Sequence, residues 1–326
     1  MISATIALWK QFEALTNSQD ASAVSAVRCG ASQQHLLVKG KFGEPVLLLA
    51  TDPRTSPRAP IRLKHLTIVF DVVYEITNTE TSVITTGTFC KFSGEPQSTS
   101  LHQYFVELLA AIAAVHAQTL TQEDADRVVS AVLELFRKLT APPIKKVTGL
   151  WGELLLIHSA THSVLFVDAW HIANTDTFDF SFFDARLEVK ATERRIREHE
   201  FALAQVRGGR SGDLVVSVFL SKSPAGKSVL DLTREIATRV PIGQQDKLWS
   251  QVLETLGTDA EASIEQRYDV KSALDSLRFI PAVSVPAPQI ADEDSTLIVD
   301  VRFRANISRP CVNNAIDSVA FLSRNC

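Results

Sequence analysis

Residues 178–191 read FDFSFFDARLEVKA and resemble two short strands joined by a turn. Aromatic and β-branched residues favour strands, so we predict two of them, Phe178–Phe183 and Arg186–Ala191. A two-residue turn between them would place Asp179 opposite Lys190. Because side chains alternate along a strand, Asp179, Glu188 and Lys190 would then emerge on one face. The stretch therefore predicts two carboxylates and an ammonium group within cross-strand reach.

This combination of side chains suits metal-assisted cleavage of a phosphodiester bond. Two carboxylates can share a Mg²⁺ ion, with Mn²⁺ as a substitute, and a lysine can orient water or neutralise a phosphate. The alternative is that Glu188 and Lys190 form an ordinary pair on a solvated strand face. Asp176 and Asp184 compete with Asp179 as the second acid, and Asp179 is favoured because it lies within the strand.

The charges around this stretch are unevenly distributed. Residues 147–185 contain five acidic residues and no lysine or arginine, whereas residues 186–210 contain seven basic and four acidic residues. Basic groups beside an acidic cluster can engage the phosphates of a nucleic acid. The candidates for this contact are Arg186, Arg194, Arg195, Arg207 and Arg210.

A charged helix is predicted at Arg194–Val206, ending at Gly208-Gly209. Two residue pairs at the start of this helix have the i,i+4 spacing of ion pairs. They are Glu193/Arg197 and Arg194/Glu198. That spacing is also typical of an ordinary solvated helix, which is the alternative to phosphate binding.

The stretch GLWGELLL at 149–156 predicts an almost wholly apolar helix with one glutamate, Glu153. Thr148 is expected to cap this helix, which would continue through His158. A carboxylate in such surroundings must be paired or face a polar cleft, so Glu153 is a candidate site residue. The alternative is a glutamate at the edge of the apolar stripe.

Several of these segments together resemble a known family. GLWGELLL, DFSF at 179–182 and LEVKAT at 187–192, followed by His199 and Gln205, are similar to bacterial PD-(D/E)XK-motif proteins of the DUF4420 type. The motif itself is Asp179-x8-Glu188-x-Lys190. The resemblance implies that His199 and Gln205 contribute to DNA binding.

The resemblance also implies a fold and an activity: an α/β restriction-endonuclease-like core with a mixed sheet flanked by helices, and a Mg²⁺-dependent DNA endonuclease. The implied catalytic residues are Glu153, Asp179, Glu188 and Lys190, with the three carboxylates as metal ligands. Phe178 stands where many such nucleases have proline. That proline is often missing, so this departure weakens the resemblance little.

The expected biological role is restriction-modification or phage defence, with a DNA methyltransferase or an ATPase as partner. A homodimer is expected, because one such site cuts one strand at a time. Two alternatives remain: a non-catalytic DNA-binding or assembly subunit of a defence complex, and a nuclease for repair or RNA processing.

The pattern along the chain predicts four segments. These are a β-rich N-terminal module at 1–100, a helical pair at 101–142, the nuclease core at 143–225 and a C-terminal α/β extension at 226–326. Ala141-Pro142-Pro143 is the strongest boundary, because proline stops a helix. The core is expected to include strands at Ser163–Trp170 and Asp213–Leu220. In the extension we predict helices at 227–239 and 244–256, and strands at 277–285 and 296–303.

Composition narrows the class of protein. The chain has 326 residues and a net charge of −4, which excludes a globally basic nucleic-acid coat protein but not a local basic groove. The longest apolar run, Leu108–Val115, is far shorter than a membrane span. The four cysteines are scattered with no C-x-x-C pair, as in a protein of a reducing compartment. We therefore expect a cytoplasmic protein without membrane association.

Overall fold

The computed structural model describes residues 2–18, 25–29, 34–77, 84–97, 99–116, 118–171, 177–183, 185–207, 212–291 and 297–308. The chain forms two compact units, Met1–Pro142 and Pro143–Cys326. The division falls within Ala141-Pro142-Pro143. No described helix is both long and apolar enough to cross a membrane.

The first unit contains a six-stranded antiparallel sheet with the strand order β1-β2-β3-β6-β5-β4. Its strands are β1 (Ala26–Cys29), β2 (His35–Lys39), β3 (Pro45–Ala50), β4 (Ile61–Arg62), β5 (Leu66–Thr77) and β6 (Ile84–Gly94). Its helices among the described residues are α1 (Ile2–Ala14), α2 (Thr99–Val115) and α3 (Gln122–Lys138). Every residue of β3 is buried, as expected for an apolar strand packed against α2. Thr121 caps α3 by accepting a hydrogen bond from the Asp124 N–H.

The second unit contains a four-stranded sheet with the order β12-β10-β8-β7 and a separate two-stranded sheet, β13-β9. The strands are β7 (Phe180–Ser181), β8 (Arg186–Thr192), β9 (Glu198–Ala202), β10 (Leu214–Phe219), β11 (Lys222–Lys227), β12 (Arg278–Pro281) and β13 (Arg302–Asn306). The helices are α4 (Val147–Ser159), α5 (Ser163–Ala169), α6 (Leu203–Val206), α7 (Val229–Ala237), α8 (Ile242–Leu256), α9 (Ala260–Glu265) and α10 (Val270–Ser276), with 3-10 turns at Gly257–Asp259 and Ala282–Ser284.

The four-stranded sheet is mixed. β8 and β10 are parallel, whereas β7 and β12 run antiparallel to their neighbours. β10 lies between β8 and β12, and its residues from Leu214 to Val218 are all buried, which explains its unbroken apolar sequence. The predicted class, a mixed α/β fold with helices flanking the sheet, is confirmed.

Helix α4 packs closely on β8, and the close approach depends on Gly152. A Cβ atom at Gly152 would lie 3.0 Å from the Ala191 Cβ and 3.2 Å from the Val189 Cγ1. A helix that is apolar on all sides is expected in a core, and the residues of α4 from Leu150 to Ile157 are all buried. This packing places Glu153 beside β8.

In the core segment, one predicted strand and one predicted helix cap were wrong, and a second predicted strand is shorter than expected. Ser163–Trp170 contains helix α5, because a short apolar run fits either a helix or a strand. Thr148 does not cap α4, which begins at Val147 with Lys146 as its N-cap. Phe178–Phe183 forms only the two-residue strand β7.

The predicted charged helix at Arg194–Val206 was also wrong. Burial alternates residue by residue from Arg197 to Phe201, which is the period of a strand, and this segment forms β9 paired with β13. Only Leu203–Val206 is helical. Gly208-Gly209 lies outside the described residues.

In the C-terminal part, the predicted helices match α7 and α8. The strand predicted at 277–285 is confirmed only at β12, because Ala282–Ser284 forms a 3-10 turn. The last strand is Arg302–Asn306 rather than 296–303, and residue 296 lies outside the described part of the chain. β12 joins the central sheet beside β10, so residues beyond 226 contribute to the sheet that carries the site.

Candidate metal and catalytic site

Asp179 reaches β8 through a hairpin that differs from the predicted one. The observed pairs are Phe180–Leu187 and Ser181–Arg186, so four residues rather than two connect the strands. The Phe182 N–H donates to the Ala185 carbonyl at 2.8 Å and closes the turn. The predicted register was therefore wrong by two residues. A shift of two keeps each side chain on its face, because the side-chain period of a strand is two.

The carboxylate of Asp179 is fixed against β8. Its Oδ2 accepts a hydrogen bond of 2.8 Å from the backbone N–H of Val189, and Asp179 is buried. Val189 lies between Glu188 and Lys190 in β8, and the charges of Asp179 and Glu188 interact. The structure therefore brings the three residues of the predicted motif together.

Glu188 and Lys190 form a direct ion pair. The Lys190 Nζ lies 2.7 Å from the Glu188 Oε1 and 5.3 Å from the centre of the Phe201 ring. Glu188 is only 6% exposed, so this pair does not lie on a solvated strand face. The ring of Phe201 and the carboxylate of Glu188 hold the ammonium group from two sides.

Glu153 is buried, with 2% exposure, and both of its carboxylate oxygens have partners. Its Oε1 accepts from the Lys145 Nζ at 2.9 Å, and its Oε2 accepts from the Trp170 Nε1 at 2.8 Å. The His171 Nε2 lies 3.0 Å from the same Oε2. Glu153 is thus a paired glutamate in an apolar helix, which is what its sequence context required.

Lys145 joins Glu153 to Asp179. Its Nζ lies 2.6 Å from the Asp179 Oδ1 as well as 2.9 Å from the Glu153 Oε1. The His171 Nε2 lies 3.2 Å from the same nitrogen. Although burial opposes its charge, the two carboxylates raise the pKa of Lys145, so the ammonium form is stable here.

His171 is placed by a short connection between α5 and β7. Trp170 forms an antiparallel bridge with Phe180, and the His171 N–H donates to the Asp179 carbonyl at 3.0 Å. His171 has a φ of 40°, in the left-handed region that non-glycine residues seldom adopt. This backbone strain at a cluster of charged groups is typical of functional sites.

Burial is the largest influence on all three carboxylates, and it favours their protonated forms. For Glu153, the hydrogen bond with His171 and the charge of Lys145 outweigh burial and lower the pKa to about 2. For Asp179, burial and the charge of Glu153 raise the pKa. For Glu188, burial and the charge of Asp179 raise the pKa to about 8. Asp179 and Glu188 therefore bind protons more readily than free carboxylates do.

These residues fit a divalent cation. The ligand atoms of Glu153, His171 and Asp179 all lie within 4.8 Å of one another, and Glu188 interacts with Asp179 from the next strand. Carboxylate oxygens suit Mg²⁺ and Mn²⁺, and an imidazole nitrogen favours Mn²⁺ over Mg²⁺. Burial and neighbouring charge raise the pKa values of Asp179 and Glu188, and a cation bound there would favour their ionised forms.

Comparison with known families gives an independent result. The model of the family DUF4420, described as "Putative PD-(D/E)XK family member", matches residues 6–308. The chain belongs to the DUF4420 family. The resemblance seen in the sequence is thereby confirmed, and membership points to nuclease chemistry. No curated protein and no solved structure was found to match the chain.

Of the arginines expected to contact DNA in this DUF4420 protein, one is paired within the protein and the other described ones are exposed. Arg186 forms a two-bond ion pair with the buried Asp213 and lies over the ring of Phe178. The other described candidates are exposed residues at or near β9 and α6, namely Arg194, Arg195 and Arg207. Arg210 lies outside the described residues.

His199 and Gln205 are buried and engaged within the protein. The His199 Nε2 lies 2.8 Å from the Ser217 Oγ, and burial together with the charge of Lys190 lowers the His199 pKa to about 4. Gln205 accepts from the Ala202 N–H and donates to the Thr177 carbonyl, each at 3.0 Å. In the DUF4420 fold, these two side chains thus connect β9 and α6 to their neighbours.

Lys145 and His171 were not identified from the sequence. Lys145 follows the proline pair at the unit boundary, outside the acidic stretch that drew attention. One signal was available in the sequence. Lys145 lies only eight residues before Glu153, so a lysine lies just before the apolar helix that carries the glutamate. His171 lies in a connection, where hydrophobic periodicity gives no information. The element before it, α5, was also predicted as a strand.

Proposed function

We propose that this DUF4420 protein is a Mg²⁺-dependent DNA endonuclease, with Mn²⁺ as a substitute, acting in restriction-modification or phage defence. The observation that carries the proposal is the arrangement of Asp179, Glu188 and Lys190. Two buried carboxylates, one immediately before β7 and one in β8, lie together, and the Lys190 ammonium is 2.7 Å from the second. Family membership supports the nuclease chemistry.

Asp179 and Glu188 would hold the cation, with Glu153 beside them. A bound Mg²⁺ would supply Lewis-acid stabilisation of the phosphate and a more acidic water molecule. The chain itself does the positioning. The Val189 N–H fixes the Asp179 carboxylate, and Phe201 with Glu188 directs the Lys190 ammonium, which would neutralise charge on the scissile phosphate.

Trp170 and the apolar helix α4 exclude water from one side of the site. The Trp170 indole is fully buried and donates to Glu153. A dry environment strengthens the interaction of each charged group with a substrate. The exposed arginines Arg194, Arg195 and Arg207 would contact the phosphates flanking the cleaved bond.

The proposed place of action is the cytoplasm, where foreign DNA is met. One active site cuts one strand, so we propose a homodimer for cleavage of both strands. A DNA methyltransferase or an ATPase would be the partner that provides discrimination or translocation. Each of these partner proposals follows from the family resemblance rather than from a described contact.

The test is an incubation of the purified protein with unmethylated plasmid, host-modified plasmid and single-stranded RNA, each with Mg²⁺, Mn²⁺ or EDTA. We expect cation-dependent cleavage of the unmodified plasmid and no cleavage in EDTA. Lys190→Ala should abolish cleavage, whereas Lys222→Ala, an exposed lysine on β11, should behave as the wild type.

The other outcomes identify other functions. Cleavage that ignores DNA modification would favour a repair nuclease, and cleavage of RNA alone would favour RNA processing. If wild type and Lys190→Ala behave identically in every condition, including with candidate partners added, the nuclease proposal fails. Tight DNA binding without cleavage would then favour an assembly subunit.

A further inference from the structure

The ammonium of Lys145 lies where a cluster of metal ligands converges. Glu153, His171 and Asp179 are the described residues whose ligand atoms lie close enough together to hold an ion. The Lys145 Nζ contacts all three, at 2.9 Å from the Glu153 Oε1, 3.2 Å from the His171 Nε2 and 2.6 Å from the Asp179 Oδ1. The ammonium donates to the two carboxylates, and the His171 Nε2, which hydrogen-bonds the Glu153 Oε2, lies beside it.

The backbone holds Lys145 in this place. The N–H of the preceding residue, Ile144, donates to the Thr255 carbonyl at 3.0 Å, and the carbonyl of Lys146 accepts from the Gly149 N–H at 3.0 Å. Lys145 therefore enters the site from a segment anchored on both sides. Its side chain is 34% exposed, so it lies at the edge of the site rather than in solvent.

Burial makes withdrawal of Lys145 costly. Glu153 and Asp179 are both buried, and without the ammonium their carboxylates would face each other with little compensation. Removing one partner of a buried ion pair leaves an uncompensated charge, which is far less favourable than the intact pair. A cation is thus required between these two carboxylates, and Lys145 supplies one.

The charge balance of the whole site leads to the same conclusion. Three carboxylates, Glu153, Asp179 and Glu188, face two ammonium groups, Lys145 and Lys190. With all three carboxylates ionised, as cation binding requires, the balance is one negative charge, which one divalent cation overcompensates by one unit. A second divalent cation would add two further positive charges to a buried site, which is unfavourable.

We propose that Lys145 is a built-in substitute for a metal ion. It occupies the position formed by Glu153, His171 and Asp179, and the protein consequently binds a single divalent cation, at Asp179 and Glu188. This inference rests on the proposed function, because it assumes that a cation binds at that site. Removal of Lys145 would open a second cation position whose ligands are already in place.

The test is a titration of the full-length protein with Mn²⁺, in which electron paramagnetic resonance measures free Mn²⁺ and gives the number of bound ions. We expect one ion for the wild type and two for Lys145→Ala. The matched control is Lys146→Ala, the exposed neighbouring lysine, which should bind one ion. A parallel thermal melt should show a larger increase of Tm on adding Mn²⁺ for Lys145→Ala than for the wild type.

The outcomes separate the inference from the proposed function. Two ions in the wild type, or one in folded Lys145→Ala, would overturn the inference and leave the nuclease proposal standing. No bound ion in the wild type would overturn both. If Lys145→Ala does not fold without metal, it is refolded in the presence of Mn²⁺. The inference then requires that Mn²⁺ restores the fold with two ions bound, and failure of Mn²⁺ to restore it would contradict the inference.

Discussion

Arg197 shows how the second unit accommodates a buried charge. Its guanidinium donates to the Ser217 carbonyl at 2.7 Å, to the Ser217 Oγ at 2.8 Å and to the Ser276 carbonyl. Burial lowers the pKa of Arg197 to about 10, so the charge persists at neutral pH on uncharged hydrogen-bond partners. The same unit pairs Arg186 with Asp213 and Lys145 with two carboxylates. Charged side chains here connect elements to one another.

Arg186 is therefore expected to contribute to stability rather than to DNA affinity. Arg186→Ala removes the guanidinium partner of a buried carboxylate and should lower the free energy of unfolding by about 3 kcal/mol, measured by urea denaturation. Arg194→Ala should change stability by less than about 0.5 kcal/mol. It should reduce the slope of log affinity for DNA against log salt by about one.

The reverse result would contradict this placement. A salt slope that changes for Arg186→Ala but not for Arg194→Ala would mean that Arg186 leaves Asp213 to contact phosphate.

His199 should make the stability of the protein depend on pH. Its pKa is about 4 in the folded protein, below the ordinary histidine value of about 6.5, because it is buried near Lys190. The unfolded chain therefore binds more protons between these values, and stability decreases as the pH falls below 6.5. From pH 6.5 to 5 the loss should be about 2 kcal/mol.

The measurement is urea denaturation of wild type and His199→Gln across pH 5–7.5. The variant cannot titrate at this position, so its unfolding free energy should vary less over the window. His162→Gln, a change at an exposed histidine, is the control and should follow the wild type. Identical pH dependence in wild type and His199→Gln would show that His199 is not held neutral.

The sequence was sufficient for the part of the site that lies in regular elements or directly beside them. Asp179, Glu188 and Lys190 could be placed on one face because strand periodicity survives a register error of two. Glu153 could be identified because a carboxylate in an apolar helix must be paired or face a polar cleft. Lys145 and His171 could not, since both lie in connections whose course depends on long-range contacts such as the Trp170–Phe180 bridge.

At the scale of elements, the segment 194–206 shows how charge spacing misleads. The pairs Glu193/Arg197 and Arg194/Glu198 have i,i+4 relations that suit a helix. The alternation of buried and exposed residues at 197–201, however, is that of a strand. The partner strand β13 is distant in sequence, and it supplies cross-strand charges such as Arg304, near Glu198. Pairing with the distant strand β13 therefore determined the conformation of this segment, and the spacing of charges within the segment could not reveal it.

Gly152 is the contact on which the position of α4 depends. A methyl group at Gly152 would lie 3.0 Å from the Ala191 Cβ and force α4 away from β8. Gly152→Ala should lower the free energy of unfolding by about 1–3 kcal/mol and weaken Mn²⁺ binding, because Glu153 moves with the helix.

Gly149→Ala is the matched control, since no atom lies within 4 Å of a Cβ there. This change should be neutral or stabilise the protein by up to about 1 kcal/mol, because alanine favours a helix. Urea denaturation of both variants tests the contrast. Equal effects would mean that α4 can shift freely on the sheet.

At the scale of the whole molecule, the chain concentrates its candidate chemistry in the unit 143–326. The family model covers residues 6–308, so both units belong to the family and the first is not an unrelated addition. The net charge of −4 conceals the contrast between the acidic segment before Arg186 and the basic segment after it. A mildly acidic protein can thus hold a cation and still present arginines to phosphates.

The most direct test of the central claim is the single-turnover cleavage rate of a labelled DNA duplex in Mg²⁺, with DNA binding measured in parallel by fluorescence anisotropy. Wild type, Lys190→Met and the exposed-lysine control Lys222→Met should bind the duplex within a few-fold of one another. Lys190→Met should cleave at least about 100-fold more slowly, because charge stabilisation at the phosphate is lost. A Lys190→Met rate within threefold of the wild type would contradict the assignment of the active site to Asp179, Glu188 and Lys190.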